Sequence, residues 1–273
     1  MARPVISLLT DFGARDPSAG ILHGVILGIA PDATIIDISH EVRKFAIRDG
    51  SLLLWCAVPY VPVGVHVAVV DPGVGTSRRP VAIRAARGDV LIGPDNGLLT
   101  GAAARLGGIA AAYLLVADEY RLPVVSTSFH GRDIFAPAAA HLARGVGVER
   151  LGPSIDAATL VASPIPEPVV EPGRLRSSVV YVDTFGNVKL AGTRQQLESA
   201  VGPLAPGDDL SLTIRDREPR RLPWVATFGD RRVGTLLLYE DSYGRVCLAQ
   251  NRGDAAATTG VLEDDPVDVA RAG

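Results

Sequence analysis

The chain has 273 residues, of which 47% are hydrophobic, enough to bury one large core or two of moderate size. Its net charge of -3 gives no basic footprint for nucleic acid, and the mixed charges at residues 215–221 indicate a solvated hairpin. Its two cysteines, Cys56 and Cys247, lie far apart in apolar stretches, which argues against a disulfide framework or a CxxC zinc site.

The N-terminal segment MARPVISLLTDFG reaches Asp11 before the apolar region of a signal peptide can form. No apolar run approaches the roughly 18 residues that a membrane-spanning helix needs. Together with the low cysteine content, these features predict a soluble cytoplasmic protein that binds neither a membrane nor nucleic acid.

The first half of the chain alternates strand-like and helix-like segments. Strands are predicted at residues 5–9, 33–39, 66–71, 80–86, 90–93 and 111–116. Helices are predicted at residues 19–30, 48–61, 98–106 and 131–145. This alternation favours an α/β domain over residues 1–162, with a mostly parallel sheet flanked by helices.

The composition changes in a proline-rich segment, which predicts an extended connector over residues 163–174. Beyond it the pattern is rich in short strands: SSVVYVD, DLSLTI, PWVATF, VGTLLLYE and RVCLAQ. Such a series is typical of a small β-barrel or sandwich. We therefore expect a second, all-β domain over residues 175–273.

Three polar residues follow apolar runs that end in glycine-containing loops: Asp71 in VVDPGVGTSRR, Arg78 in the same loop, and His130 in STSFHGRD. Functional groups of α/β enzymes lie in such loops. A carboxylate, a guanidinium and an imidazole that converge there could hold and deprotonate water. The alternatives are a turn aspartate, an exposed arginine and a histidine that bonds a helix N-terminus.

Asp11 follows the first predicted strand, where an acidic residue can accept hydrogen bonds from a ribose or can simply shape a turn. The loop DPGVGT (71–76) lacks the third glycine and the following helix of a dinucleotide-binding fingerprint, and no Walker loop is present. Its glycines are expected to let backbone approach a ligand closely.

In the second domain, VDTFGN (182–187) is either a plain turn or an adenine site in which Phe185 stacks on the base and Asn187 contacts its edge. Asp37, His40 and Asp71 follow successive strands and raise the question of a metal. No HxH, HExxH or acidic pair has ligand spacing, so no metal site is predicted.

Taken together, these motifs resemble one family, the S-adenosyl-L-methionine (SAM) hydroxide adenosyltransferases, which are relatives of the fluorinase and chlorinase halogenases. The shared motifs occur in order along nearly the whole chain. They are TDFGxxD (10–16), PDATIIDISHEV (31–42), VVDPGVGTSRR (69–79), GPDNGLL (93–99), SFHGRDIFAPAAAHLA (128–143), DTFGNV (183–188) and SYGRVCLAQN (242–251).

The resemblance implies an N-terminal α/β domain, a C-terminal β-barrel and a homotrimer with SAM bound at subunit interfaces. It implies attack of water or hydroxide on the ribose C5′ of SAM, giving adenosine and L-methionine without a cofactor or metal. Asp71, Arg78 and His130 correspond to the set that handles the water, and Asp11 would hold the ribose hydroxyls. Whether Asp71 or His130 takes the proton is open at this point.

By the same resemblance, Asp183 would meet the methionine ammonium and Ser242 would lie near its carboxylate. Phe185, Asn187 and Phe228 would form the adenine pocket. The sequence departs from the family pattern after FGN, where it continues VKLAG, and at Tyr243 and Arg252. These departures affect the contacts to methionine and adenine rather than the water-handling set.

Three other functions compete with hydrolysis. A halogenase needs a site for a halide ion, and a neighbouring carboxylate such as Asp71 would repel that ion. The fluorinase-like pattern has tyrosine at this position, and the chlorinase-like pattern has a small residue. A non-catalytic SAM- or adenosine-binding module would not need the Asp71, Arg78 and His130 set, and a nucleoside hydrolase would release adenine instead of adenosine.

Overall fold

A computed structural model describes residues 3–273, which divide into two compact units at Pro164 and Ile165. The strands of the first unit are β1 (Val5–Thr10), β2 (Thr34–Ser39), β3 (Val65–Val69), β4 (Pro80–Ala85), β5 (Val90–Pro94), β6 (Ile109–Leu114) and β7 (Ser154–Ile155). Its helices are α1 (Ser18–Ile29), α2 (Ile47–Ala57), α3 (Thr100–Arg105) and α4 (Ala136–Ala143).

The strands of the first unit form one seven-stranded sheet in the order β2-β1-β3-β5-β4-β6-β7. β2, β1, β3 and β5 pair in parallel, whereas β4 and β7 run against their neighbours. One apolar layer packs α1 and α4 on one face, and a second packs α2 and α3 on the other. Every residue of β3 is buried, as expected for a strand covered on both faces.

The second unit is built from eight strands and two short helices. The strands are β8 (Val169–Glu171), β9 (Arg174–Val182), β10 (Val188–Thr193), β11 (Asp209–Ile214), β12 (Arg220–Val225), β13 (Leu236–Glu240), β14 (Arg245–Gln250) and β15 (Pro266–Arg271). The helices are α5 (Arg194–Val201) and α6 (Ala255–Thr259).

The second unit is a closed β-barrel. Its sheet runs β10-β14-β13-β12-β11-β15-β9-β8, and an added pairing of β10 with β9 closes the ring. Trp224 and the aliphatic side chains around it fill the interior. β8 pairs with β9 outside the ring, so part of the proline-rich segment 163–174 belongs to this sheet. The predicted fold class, an α/β domain followed by an all-β barrel, is confirmed.

Several predicted boundaries shift for local reasons. α2 ends at Ala57 because Pro59 cannot continue its hydrogen bonds, and a 3₁₀ turn, Val58–Tyr60, follows. The helix predicted at 131–145 begins as one π-helical turn, Gly131–Phe135, before α4. Within residues 3–273, no helix combines the length and the apolar composition needed to cross a bilayer.

Candidate active site

Parallel pairing of β1 and β3 places two of the predicted acidic residues at the same edge of the sheet. Thr10, the last residue of β1, is in register with Val69 at the end of β3. Asp11 and Asp71 follow these two strands, so both carboxylates lie at the carboxyl edge, where open α/β sheets bind ligands. Both line a cavity of about 290 Å³.

Asp71 and Arg78 form a nearly enclosed ion pair. Nε of Arg78 lies 3.0 Å from each carboxylate oxygen, and Nη2 donates to Oδ2 as well. The two side chains are 6% and 10% exposed, so little water screens the pair. Arg78 also packs over the Phe135 ring at 5.3 Å. Its Nη1 is buried without a hydrogen-bond partner in residues 3–273.

His130 joins this pair through Arg78, whose Nη2 lies 2.8 Å from the imidazole Nδ1. A guanidinium can only donate, so Nδ1 accepts and a neutral ring carries its proton on Nε2. Burial and the positive charge of Arg78 lower the pKa of His130 from 6.5, which keeps the ring neutral near pH 7. His130 lines the same cavity as Asp71. It therefore faces the cavity as a hydrogen-bond donor.

The loop before His130 is held by its own hydrogen bonds. Asp133 accepts from the backbone of Ser126 at 2.8 Å, and the Ser126 hydroxyl accepts from Phe129 N at 3.0 Å. Gly75 has φ +76°, and a Cβ there would lie 2.3 Å from the Thr127 carbonyl oxygen. Gly75 thus allows the DPGVGT loop to approach the loop that contains Thr127. The sequence had predicted that the glycines of this loop approach a ligand.

The mouth of this cavity is lined by aromatic and charged groups that the sequence reasoning missed. Phe12 and Phe129 meet edge to face with ring centres 5.6 Å apart. Lys44 and Phe45 also line the cavity, and Phe45 N donates to Oδ2 of Asp11 at 2.9 Å. Phe45 has φ +65°, a conformation that only a few per cent of non-glycine residues adopt, and this signal is not visible in the sequence.

Two neighbouring residues have structural roles. Arg79 forms an ion pair with Asp95 and donates to the Thr159 hydroxyl at 3.1 Å. Its role is therefore structural, unlike that of the neighbouring Arg78. Asn96 donates to the Val70 carbonyl at 2.9 Å and therefore supports the chain just before Asp71.

The predicted residues of the second unit gather in a cavity of about 810 Å³ on the barrel. All of them line it: Asp183, Phe185, Asn187, Phe228 and Ser242. Asp183 also organises its own turn. Its Oδ1 accepts from the backbone of Phe185 and Asn187 at 2.9 Å, and its Oδ2 accepts from Asn187 Nδ2 at 2.9 Å. The turn and the binding interpretation of this motif are thus compatible.

The apolar surface of the barrel cavity is largely aromatic. The Phe185 side chain is 75% exposed, and Phe228 leans on Tyr239 with ring centres 4.8 Å apart. Burial, followed by nearby negative groups, raises the pKa of Tyr239, so its phenol is neutral. An exposed aromatic ring at a cavity is suited to stacking on a planar ligand.

A charged pair also lines the barrel cavity and was not predicted. Lys189 and Asp241 form a nearly buried ion pair, and the ammonium of Lys189 lies 5.0 Å from the centre of the Tyr243 ring. Asp241 additionally accepts from the backbone of Tyr243 and Arg245 at 2.9 Å. Lys189 belongs to the VKLAG segment, where the sequence departs from the family pattern. That departure was the only sign in the sequence that Lys189 lies at this cavity.

Comparison with known proteins assigns both units to one family. Residues 6–152 match the SAM hydroxide adenosyltransferase N-terminal domain, and residues 177–268 match the C-terminal domain of the same family. The chain therefore belongs to the SAM hydroxide adenosyltransferase family. This result confirms the resemblance that the ordered sequence motifs indicated.

The chain is similar over nearly its whole length to curated relatives. It is 45% identical over 262 residues to an (R)-S-adenosyl-L-methionine hydrolase of Salinispora tropica, covering 96% of each chain. It is 29% identical over 296 residues to a fluorinase of Actinopolyspora mzabensis, covering 99% of this chain and 98% of the relative. An uncharacterized conserved protein from Thermotoga maritima has a crystal structure that matches with TM-score 0.91 and 35% identity, over 97% of this chain and 100% of that one.

Proposed function

We propose that this chain is an enzyme that hydrolyses SAM to adenosine and L-methionine. The observation that carries the proposal is the Asp71–Arg78–His130 set, an enclosed carboxylate–guanidinium pair joined to a neutral imidazole, in which Asp71 and His130 line one cavity. Membership of the SAM hydroxide adenosyltransferase family supports it, as does a relative named (R)-S-adenosyl-L-methionine hydrolase.

In this mechanism a water molecule attacks the ribose C5′ in line with the C5′–S bond. The new C5′–O bond forms as the C5′–S electron pair moves to sulfur, so the sulfonium becomes the neutral thioether of methionine. A sulfonium is already a good leaving group, and we propose that no cofactor, metal or general acid is used. Positioning of the nucleophile can contribute about 7–11 kcal/mol.

The tautomer of His130 divides the roles within the set. With Nδ1 accepting from Arg78, the neutral ring offers Nε2–H and donates to the water oxygen. Asp71 then accepts the water proton as attack proceeds, which assigns it as the general base. Arg78 holds both partners at fixed angles through its bonds to Asp71 and His130. A base in such a position accelerates a reaction by about 10²–10⁴-fold.

The remaining substrate contacts follow the chemistry of the groups that line the cavities. Phe185 and Phe228 would stack on adenine. Asn187 would accept from the base edge through Oδ1, while one of its two Nδ2 hydrogens bonds Asp183. Asp183 would hold the methionine ammonium, since a carboxylate has about four acceptor positions and only some are used by its turn.

Two further contacts complete the proposed substrate site. Asp11, which lines the cavity of the first unit, would accept from the ribose hydroxyls. Ser242, which lines the barrel cavity, would donate to the methionine carboxylate.

The quaternary part of the proposal is a homotrimer with SAM bound at subunit interfaces. Its support is the family resemblance together with the strongly exposed Phe185 ring. A cytoplasmic location is also proposed, because a chain of 273 residues with two cysteines fits a reducing compartment.

Halide transfer is the main competing reaction, since fluorinases are also relatives. The Asp71 carboxylate lines the cavity and would repel a halide, whereas a water molecule can donate a hydrogen bond to it. The position of this carboxylate favours water as the nucleophile.

The test is to incubate the purified chain with each sulfonium epimer of SAM, with and without added chloride or fluoride, and to identify products by mass spectrometry. The epimers are tested separately because the relative's name specifies the R form. We expect adenosine and methionine whether or not halide is present. Halogenated adenosine, free adenine, or binding without turnover would each overturn the proposal. Sedimentation analysis of the same sample tests the trimer.

A further inference from the structure

Outside the proposed active site, two histidines and an aspartate of the first unit converge on one point. Nε2 of His23 lies 2.8 Å from Oδ1 of Asp37, and Nε2 of His40 lies 3.1 Å from the same oxygen. The ligand atoms of all three residues lie within 4.8 Å of one another. Two imidazole nitrogens and one carboxylate oxygen are ligands that divalent transition metals bind.

The chain brings the three residues together through an irregularity in β2. Leu8 pairs with Asp37 and Leu9 pairs with Ser39, so Ile38 is an extra residue in the edge strand. In a regular strand, residues three apart face opposite sides of the sheet. A bulge changes that alternation, and here Asp37 and His40 face the same point. His23 reaches it from α1.

His40 is oriented as a histidine ligand usually is. Its Nδ1 lies 2.8 Å from the hydroxyl oxygen of Thr10, a fully buried residue, and its carbonyl accepts from Gly13 N at 2.7 Å. Metal-binding histidines typically donate their second ring N–H to a hydrogen-bond acceptor, and the Thr10 hydroxyl oxygen can be that acceptor when Nε2 coordinates. Nε2 of His40 is buried, and its contact of 3.1 Å to Oδ1 of Asp37 does not have hydrogen-bond geometry; within residues 3–273 it makes no other hydrogen bond.

We propose that His23, Asp37 and His40 form a binding site for a divalent transition-metal ion such as Zn²⁺, bound through the two Nε2 atoms and the Asp37 carboxylate. Tetrahedral zinc bonds of about 2.0–2.2 Å place neighbouring ligand atoms roughly 3.3–3.6 Å apart. The contacts of 2.8 and 3.1 Å are shorter than this, so an ion would enter by widening them. Asp37 and His23 are 43% and 33% exposed, which gives an ion a route in and lets water complete its coordination.

An ion at this point would tie α1 to the edge strand β2. Through His40 it would also support the end of β1 and the turn after it, because Thr10 and Gly13 both bond His40. That turn carries Asp11, a residue of the proposed substrate site. The site is thus a structural support, and its existence does not depend on the proposed hydrolysis.

The test is a Zn²⁺ titration of the untagged, chelator-treated full chain against a chromophoric competitor. We expect one equivalent to bind with a rise in melting temperature, because binding to the folded state alone stabilises it. His23→Gln and Asp37→Asn should each weaken binding by about 100-fold. Thr10→Val should weaken it by about 10–100-fold, as the loss of an outer partner does.

His141→Gln is the matched control, because His141 lies in α4 of the same unit and packs on Tyr120 away from the cluster. It should bind Zn²⁺ as the wild type does, and circular dichroism should show that every variant is folded. Equal Zn²⁺ affinity of the wild type, folded His23→Gln and folded Asp37→Asn would overturn the proposal. No saturable binding by the wild type would overturn it as well.

Discussion

Two histidine-centred arrangements in the first unit use similar chemistry in different surroundings. In the sheet interior, Ser7 Oγ lies 2.7 Å from His66 Nδ1, and His66 Nε2 lies 2.9 Å from Asp89 Oδ1. These are the residue types of a Ser–His–Asp catalytic triad at hydrogen-bond distances. All three are 0% exposed, however, so a substrate has no access to them. Asp71 and His130, in contrast, line a cavity.

The difference originates in strand position. Ser7 and His66 are paired residues in the middle of β1 and β3, whereas Asp11 and Asp71 follow the ends of the same strands. A polar group within a buried strand must be satisfied by protein, and a polar group beyond the strand end can serve a ligand. Residue type and distance alone therefore do not identify an active site.

The interior network is satisfied by charge as well as by hydrogen bonds. Burial alone would raise the pKa of Asp89, but hydrogen bonds from Arg87 and His66 outweigh it and hold that pKa well below its usual value. Gly64 N also faces the Asp89 carboxylate at 3.3 Å. We interpret Ser7–His66–Asp89 as a stabilising network.

The largest expected effect is a loss of activity on substitution of Asp71, which the buried Ser7–His66–Asp89 network should not show. Asp71→Asn keeps an acceptor for Arg78 but removes the proposed base, so kcat for SAM hydrolysis should fall by about 10²–10⁴-fold. SAM affinity by calorimetry should change little. Asp118→Asn, at a side chain that is 99% exposed, is the control. An Asp71→Asn enzyme with wild-type kcat would place the chemistry elsewhere.

The interior network should respond through stability instead. Asp89→Ala removes the acceptor of His66 Nε2 and the charge partner of Arg87, and should lower the free energy of unfolding by about 3–5 kcal/mol, measured with urea. Turnover per folded molecule should stay near the wild-type value. If Asp89→Ala were stable but inactive, the buried network would have to be reinterpreted as part of the catalytic machinery.

The stabilising charge of Asp89 predicts how its contribution to the free energy of unfolding changes with pH. Its folded pKa is lowered from 3.8, so its contribution to stability is present above that pH and is lost as the pH falls toward the folded pKa. The difference in unfolding free energy between wild type and Asp89→Ala should therefore shrink on acidification. A difference that grew toward low pH would contradict the assignment.

A smaller effect is expected at the barrel cavity. Phe185→Ala should weaken SAM binding by about 1–3 kcal/mol if the ring stacks on adenine. Because the ring does not touch the reacting atoms, the change should appear mainly in KM. Leu262→Ala, which removes another exposed apolar side chain of the same unit, should leave both constants unchanged. Equal effects of the two variants would remove the stacking role.

The smallest effect concerns pH and His130. Since the pKa of His130 lies below 6.5, activity that needs the neutral ring should be flat above that pH and decline only as the pH falls further. The profile of kcat/KM measures this directly. His130→Gln should remove that acidic limb. A limb centred above 6.5 would show that the proposed neutral donor is the wrong protonation state.

The structural elements that the sequence predicted are those with clear local patterns. The strands and helices around Asp11 and Asp71 follow hydrophobic periodicity, and the barrel follows from short strands with turns between them. β10 and β15 were missed because VKLAGT and PVDVAR carry weak strand patterns. α5 was missed although Thr193 and Gln196 form a capping box that the T-x-x-Q spacing shows.

Side-chain convergence across distant elements was the least predictable part. Asp37 and His40 were weighed as metal ligands with Asp71, but their third neighbour is His23 on α1, which only the position of that helix in the fold reveals. The link between Arg78 and His130 likewise depends on loop geometry. Burial of Ser7, His66 and Asp89 also required the fold, since nothing in their spacing indicates it.

The most direct test of the central claim is turnover of SAM in ¹⁸O-labelled water by wild type and by Asp71→Asn, with products analysed by mass spectrometry. The proposed reaction predicts that the wild type places ¹⁸O on the 5′ oxygen of adenosine and releases unlabelled methionine, while the variant binds SAM but yields little product. Adenosine without the label, or labelled adenosine formed equally fast by Asp71→Asn, would contradict the claim that Asp71 activates the attacking water.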